Sequence, residues 1–125
     1  MIWTLAQVAL GGAIGAVCRF LTGAAALRLV GAGFPWGTLT VNVLGSFAMG
    51  VIFVVLSQKD AMRLAPFLMA GVLGGFTTFS AFSLDALTLF ERGQPGAAAL
   101  YVLASVLLSL AAVVAGVLLT RGVMS

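Results

Sequence analysis

Charged side chains cut this sequence into four long apolar runs. Between the Arg, Lys, Asp and Glu positions, residues 1–18, 29–58, 64–84 and 93–120 carry no formal charge. Each run reaches the length of about 18 residues at which an apolar segment reads as a membrane-crossing helix. The pattern predicts an all-α membrane protein of one domain, residues 1–125, with spans at about residues 2–28, 36–57, 66–90 and 96–120. Span one, at roughly 1.5 Å per residue, is longer than a hydrocarbon core of about 30 Å. Arg19 therefore falls near its far interface, where the guanidinium can snorkel or enter an aqueous vestibule. Gly31, Gly33 and Pro35 break the chain after it, and Pro35 and Trp36 suit the first turn and the interfacial belt of span two. Span three contains Gly71, Gly74 and Gly75, followed by Thr77 and Thr78. Adjacent mid-membrane glycines weaken a helix by roughly 1 kcal/mol each relative to alanine, so a break is expected between Gly74 and Thr78.

Composition narrows the class. The chain is 62% apolar and 7% charged, where a soluble domain has about 45–50% and 25%. Nine charged side chains cannot cover the surface of so small a water-soluble monomer. A net charge of +3 spread over span ends is no nucleic-acid footprint, which needs clustered Lys and Arg. With no histidine and the single cysteine Cys18, zinc, haem and imidazole chemistry find no support. Nothing remains for a soluble catalytic unit, and no enzyme is expected. Met1-Ile2-Trp3-Thr4 lacks the basic n-region of a signal peptide, so the first apolar run is expected to stay in the mature protein.

Small residues recur four apart at Gly11 and Gly15, Gly71 and Gly75, and Ala112 and Gly116. This spacing lets helix backbones approach closely in lipid and predicts a compact bundle and an oligomer. The basic residues divide almost evenly, with Lys59, Arg63 and Arg121 on one side and Arg28 and Arg92 on the other, Arg19 lying close to the latter. The positive-inside rule then has little to act on, and the expectation is dual topology, with copies inserted both ways pairing as an antiparallel dimer.

The chemistry-bearing stretch runs from Gly74 to Ser83. A helix broken there frees backbone groups, which the bilayer core tolerates only where protein, water or an ion satisfies them. Phe79 and Phe82, three apart, share one face of the following half-helix; such a pair packs or meets lipid in most helices. Ring edges are electropositive, and edge-on rings beside a break stabilise a small anion without trapping it. Asn42, in the middle of span two, either bonds another helix or offers its amide N–H to an anion. Tyr101, Ser105 and Ser109 at i, i+4 and i+8 form a hydroxyl stripe on span four, although membrane serines often only bond the i−4 carbonyl.

Three ordered motifs carry a family resemblance: Gly11-Gly12-Ala13-Ile14-Gly15-Ala16-Val17-Cys18-Arg19-Phe20; then Gly37-Thr38-Leu39 with Val41-Asn42 and Gly45; then Gly74-Gly75-Phe76-Thr77-Thr78-Phe79-Ser80. Together they resemble the Fluc/CrcB fluoride channels over spans one to three, with span four looser. The resemblance implies a passive fluoride-selective channel of the cytoplasmic (inner) membrane that exports toxic fluoride, built as a dual-topology antiparallel homodimer with two pores. Carried over, it implies Asn42 as a pore donor and Phe79 and Phe82 as aromatic coordinators. It implies Ser80, Tyr101, Ser105 and Ser109 as hydroxyls along the pathway, and Arg19 as a source of positive potential in a vestibule. It also implies a structural sodium ion at the dimer interface, held by the backbone carbonyls of Gly74 and Thr77. Ala81 stands where the family commonly has Thr, and Asp85, where Glu is frequent, reads as structural or mouth-lining. The main rival is a small four-span multidrug or cation exporter, which binds its cargo through an intramembrane carboxylate. Spans one, two and four hold none.

Overall fold

In lipid, a backbone N–H or C=O must find its partner within its own segment, so apolar runs of this length fold as helices. The computed structural model describes all residues from Met1 to Ser125. Its ordered elements are all helical, and four helices are long and apolar enough to cross a membrane. The first, α1 (Ile2–Val30), stops at Gly31, whose φ of 83° is a left-handed conformation that costs glycine little and that lets the Gly31 N–H cap the Leu27 carbonyl at 3.1 Å. The second, α2 (Trp36–Gln58), begins immediately after Pro35. The last, α5 (Pro95–Met124), starts with proline in its first turn, where the missing N–H is no loss.

The third span, Met62–Glu91, is assembled from pieces. A 3₁₀ turn (Met62–Leu64) leads into a π-helical segment (Pro66–Leu73) and a short turn α3 (Gly74–Phe76). Thr77 and Thr78 are extended, with φ/ψ of −86°/159° and −151°/125°, and α4 (Phe79–Glu91) follows. The span is therefore bent at the two threonines. The glycines expected to interrupt it stay helical, Gly74 at φ −62° and ψ −37°. Their smallness serves packing instead: a methyl group on Gly75 would lie 2.6 Å from the Gly12 carbonyl oxygen of α1.

Glycines sit at both main crossings. Helix α1 lies along the π-helical segment and α3, and α2 along α5. A side chain on Gly11 would collide with the Phe67 carbonyl, and one on Gly15 with the Val72 carbonyl. Across the other crossing Gly50 faces the Val113 carbonyl and Gly116 the Phe47 carbonyl, again backbone against backbone. Leu39, Leu89, Ala98 and Tyr101 form a buried cluster between α2, α4 and α5, with Phe34 and Phe82 packed onto it. Only 15 of the 125 residues are buried, an arrangement suited to lipid or to a further helical surface as the surrounding medium.

Candidate functional site

The bend is held from α2. The Thr78 N–H donates to Asn42 Oδ1 at 2.8 Å, and Asn42 Nδ2 donates back to the Thr78 carbonyl at 2.9 Å. The amide thus pairs with one extended residue as a neighbouring strand would, and this pairing fixes which end of the amide is oxygen. Thr78 also caps α4, its Oγ1 accepting from the Ala81 N–H at 3.1 Å. Thr77 ties back to the preceding turn, with both its N–H and its hydroxyl donating to the Leu73 carbonyl, at 3.0 and 2.9 Å. Its own carbonyl accepts no hydrogen bond within the chain. From α1, Arg19 Nε donates to the Gly75 carbonyl at 3.0 Å.

Beside the bend a groove of about 400 Å³ opens between α2, α4 and α5. Asn42, Gly45 and Ser46 line it from α2, and Thr77, Thr78, Phe79 and Phe82 from the third span. Helix α5 contributes Ser105 and Ser109. No charged side chain lines it. The Phe79 and Phe82 rings meet edge-on, with centroids 5.5 Å apart and planes at 78°. Phe79 is 72% exposed in the single chain. Ser105 is only 5% exposed, and its Oγ has no hydrogen-bond partner. A buried hydroxyl without a partner costs about 1–3 kcal/mol, and this one sits in the wall of the groove. Gly45 is required there, since a Cβ would run into the Thr77 methyl.

Five of the sequence-predicted residues, Asn42, Phe79, Phe82, Ser105 and Ser109, therefore share one uncharged groove, together with Thr77. Four others lie elsewhere. Tyr101 is fully buried behind Phe82, and its hydroxyl donates to Asp85 Oδ2 at 3.2 Å. Ser80 is exposed on the first turn of α4, with Oγ 3.3 Å from Thr78 Oγ1. Arg19 lines a separate cleft of about 350 Å³ with Thr38, Thr78 and Ala81. Gly74 is exposed on the face of α3 away from Gly75's contact with α1.

The sequence reading missed Thr78 as the keystone of the bend, although a threonine just before a new helix is an N-cap signal. It also missed the link between Thr38 and Asp85, where the Thr38 hydroxyl donates to Oδ2 at 2.7 Å. These two residues help to line a cavity of about 280 Å³ with Thr88 and Arg92 below the α1–α2 connector.

Comparison with known proteins decides the family. The family model described as "CrcB-like protein, Camphor Resistance (CrcB)" matches residues 6–117. The chain belongs to the CrcB family. The matched stretch of this CrcB chain contains Arg19 and every residue named above for the groove and the bend. The chain is 62% identical, over all of both sequences, to "Fluoride-specific ion channel FluC" of Cereibacter sphaeroides. It is 56% identical over 100% of both to the protein of that name from Ruegeria sp.. With the one from Agrobacterium fabrum it shares 53%, covering 94% of this CrcB chain and 95% of the relative.

Proposed function

We propose that this CrcB chain is a passive, fluoride-selective channel of the cytoplasmic membrane that exports fluoride and lowers its toxicity, without catalysing a reaction. The uncharged groove that gathers Asn42, Phe79, Phe82, Ser105 and Ser109 carries the reading, and the full-length similarity to proteins named fluoride-specific channels supports it. Fluoride holds its water tightly, so passage needs donors that replace that water stepwise and release the ion again. One Asn42 N–H is taken by Thr78 and the second remains to donate. The orphan Ser105 hydroxyl has its hydrogen free. Phe79 and Phe82 line the groove, and ring edges turned into it would add weak positive potential. No fixed cation stands in the groove to trap the ion.

The working unit in this proposal is a dual-topology antiparallel homodimer, with the bend at Thr77 and Thr78 acting as a full break of the third span at the midplane. The 72% exposure of Phe79 in a single chain supports a second copy covering the groove. A structural sodium ion belongs to the same reading. Thr77 offers a carbonyl with no partner in the chain, and the exposed Gly74 a second; carbonyl oxygens are the donors that alkali ions take. Held by these two carbonyls from each copy, the ion would bind the two bends together. A multidrug or cation exporter is not favoured, because the Asp85 carboxylate is engaged by the Thr38 and Tyr101 hydroxyls.

Fluoride efflux from liposomes containing the purified protein tests the proposal. Electrogenic fluoride release with little chloride release is expected. No efflux, or equal efflux of chloride, rejects it.

A further inference from the structure

Four rings run without a gap from the α1–α2 connector to the groove. Phe34 meets Tyr101 edge-on, with centroids 5.4 Å apart and planes at 88°. Tyr101 packs against Phe82 at 5.3 Å and 47°, and Phe82 meets Phe79 at 5.5 Å and 78°. Tyr101 has no exposed surface. A ring enclosed at the density of a protein interior cannot turn without moving its neighbours, so its orientation is set by what flanks it. On the α4 side its hydroxyl is tied to Asp85, and on the connector side the flanking ring is Phe34.

Phe34 is the only aromatic residue of the connector, residues 31–35. Its own place is well determined. The left-handed Gly31 turns the chain out of α1, the Trp36 N–H donates to the Phe34 carbonyl at 2.8 Å, and the Trp36 indole lies 4.8 Å from its ring. Aromatic pairs have preferred mutual angles, so a fixed ring at one end of a packed series constrains the next.

We propose that Phe34 is a positioning residue for anion passage: acting through Tyr101, it holds the Phe82 ring at the angle it takes in the wall of the groove. The inference rests on the fluoride-channel reading above. It assigns to a connector residue outside the groove a part in setting throughput. A residue that merely fills space would affect stability without depending on Phe82.

The test is a double-mutant cycle on liposome fluoride efflux with the full chain, using Phe34→Leu and Phe34→Tyr in the unsubstituted protein and in Phe82→Ile. Phe34→Leu is expected to lower efflux roughly three- to tenfold, the size of one aromatic edge contact. Phe34→Tyr keeps the ring and is expected to keep the flux. In the Phe82→Ile background, Phe34→Leu is expected to change nothing further. An equal fold-loss in both backgrounds, unchanged efflux in Phe34→Leu, or a Phe34→Tyr as slow as Phe34→Leu overturns the proposal. If Phe34→Leu is not recovered folded, the unbranched Phe34→Met replaces it; failure of both to fold makes Phe34 a packing residue and also overturns it. No efflux from the unsubstituted protein overturns the channel reading itself, and this proposal with it.

Discussion

Asn42 and Thr78 exchange two hydrogen bonds, and this exchange stands in for the helical partners that an extended residue gives up. Replacing Asn42 by leucine keeps the branched shape and leaves the part-buried Thr78 N–H and C=O without partners. Each such group costs about 1–3 kcal/mol, while side-chain bonds within membranes average about 0.6 kcal/mol because the unfolded chain also finds partners. Asn42→Leu is therefore expected to lose about 2 kcal/mol, read as a lower midpoint of thermal or chemical unfolding in detergent, and to lose fluoride efflux with it. An unshifted midpoint means that the clamp contributes nothing. Asn42 stood out in the sequence as a polar residue in an apolar run, but its partner lies 36 positions away and no local pattern points to it. The hydroxyl stripe on α5 was legible only in part for a geometric reason. Each step of four residues overshoots a full turn by about 40°, so Tyr101 and Ser109 diverge by about 80° around the helix. Ser105 and Ser109 reach the groove, and Tyr101 turns into the core.

At the scale of elements, the four helices were readable because hydropathy over a long window reports membrane crossing directly. The cause of the bend was not. Glycine has low helix propensity, yet in lipid its main use is close approach, and Gly75 packs against Gly12 while the two threonines after Phe76 carry the extended conformation. The same distinction separates neighbouring glycines of α1. A Cβ on Gly15 would collide with the Val72 carbonyl and lie 2.8 Å from the Phe76 nitrogen, whereas a Cβ on Gly12 meets nothing within 4 Å. Gly15→Ala is expected to destabilise the fold by about 1–3 kcal/mol, the usual cost of overpacking. Gly12→Ala is expected to be neutral or to stabilise by up to about 1 kcal/mol through helix propensity. Unfolding midpoints in detergent for the two variants check this. Equal losses would show that α1 does not seat on the third span through Gly15.

For the whole molecule, the even division of basic residues has a consequence that insertion experiments can reach. An even number of spans puts both termini and the connector holding Lys59 and Arg63 on one side, with Arg121, and the last turn of α1 with Arg28 and the connector holding Arg92 on the other. The positive-inside rule counts such residues near span ends, so three against two leaves insertion nearly undecided and a margin of two or three is enough to decide it. Gln58→Lys with Ser125→Lys gives five against two and biases one orientation; Ala32→Lys and Gln94→Lys together with Lys59→Gln give four against two and bias the opposite one. All five positions are exposed, outside the groove and away from the bend. If the working unit is antiparallel, each biased protein made alone supplies only one orientation and is expected to lose more than about tenfold in fluoride efflux from cells, since almost no opposite partner is inserted. Made together, the two are expected to restore efflux, because each supplies the orientation that the other lacks. Full efflux from either biased protein alone would mean that one orientation suffices. The exposed Phe79 ring would then need a cover other than an inverted copy.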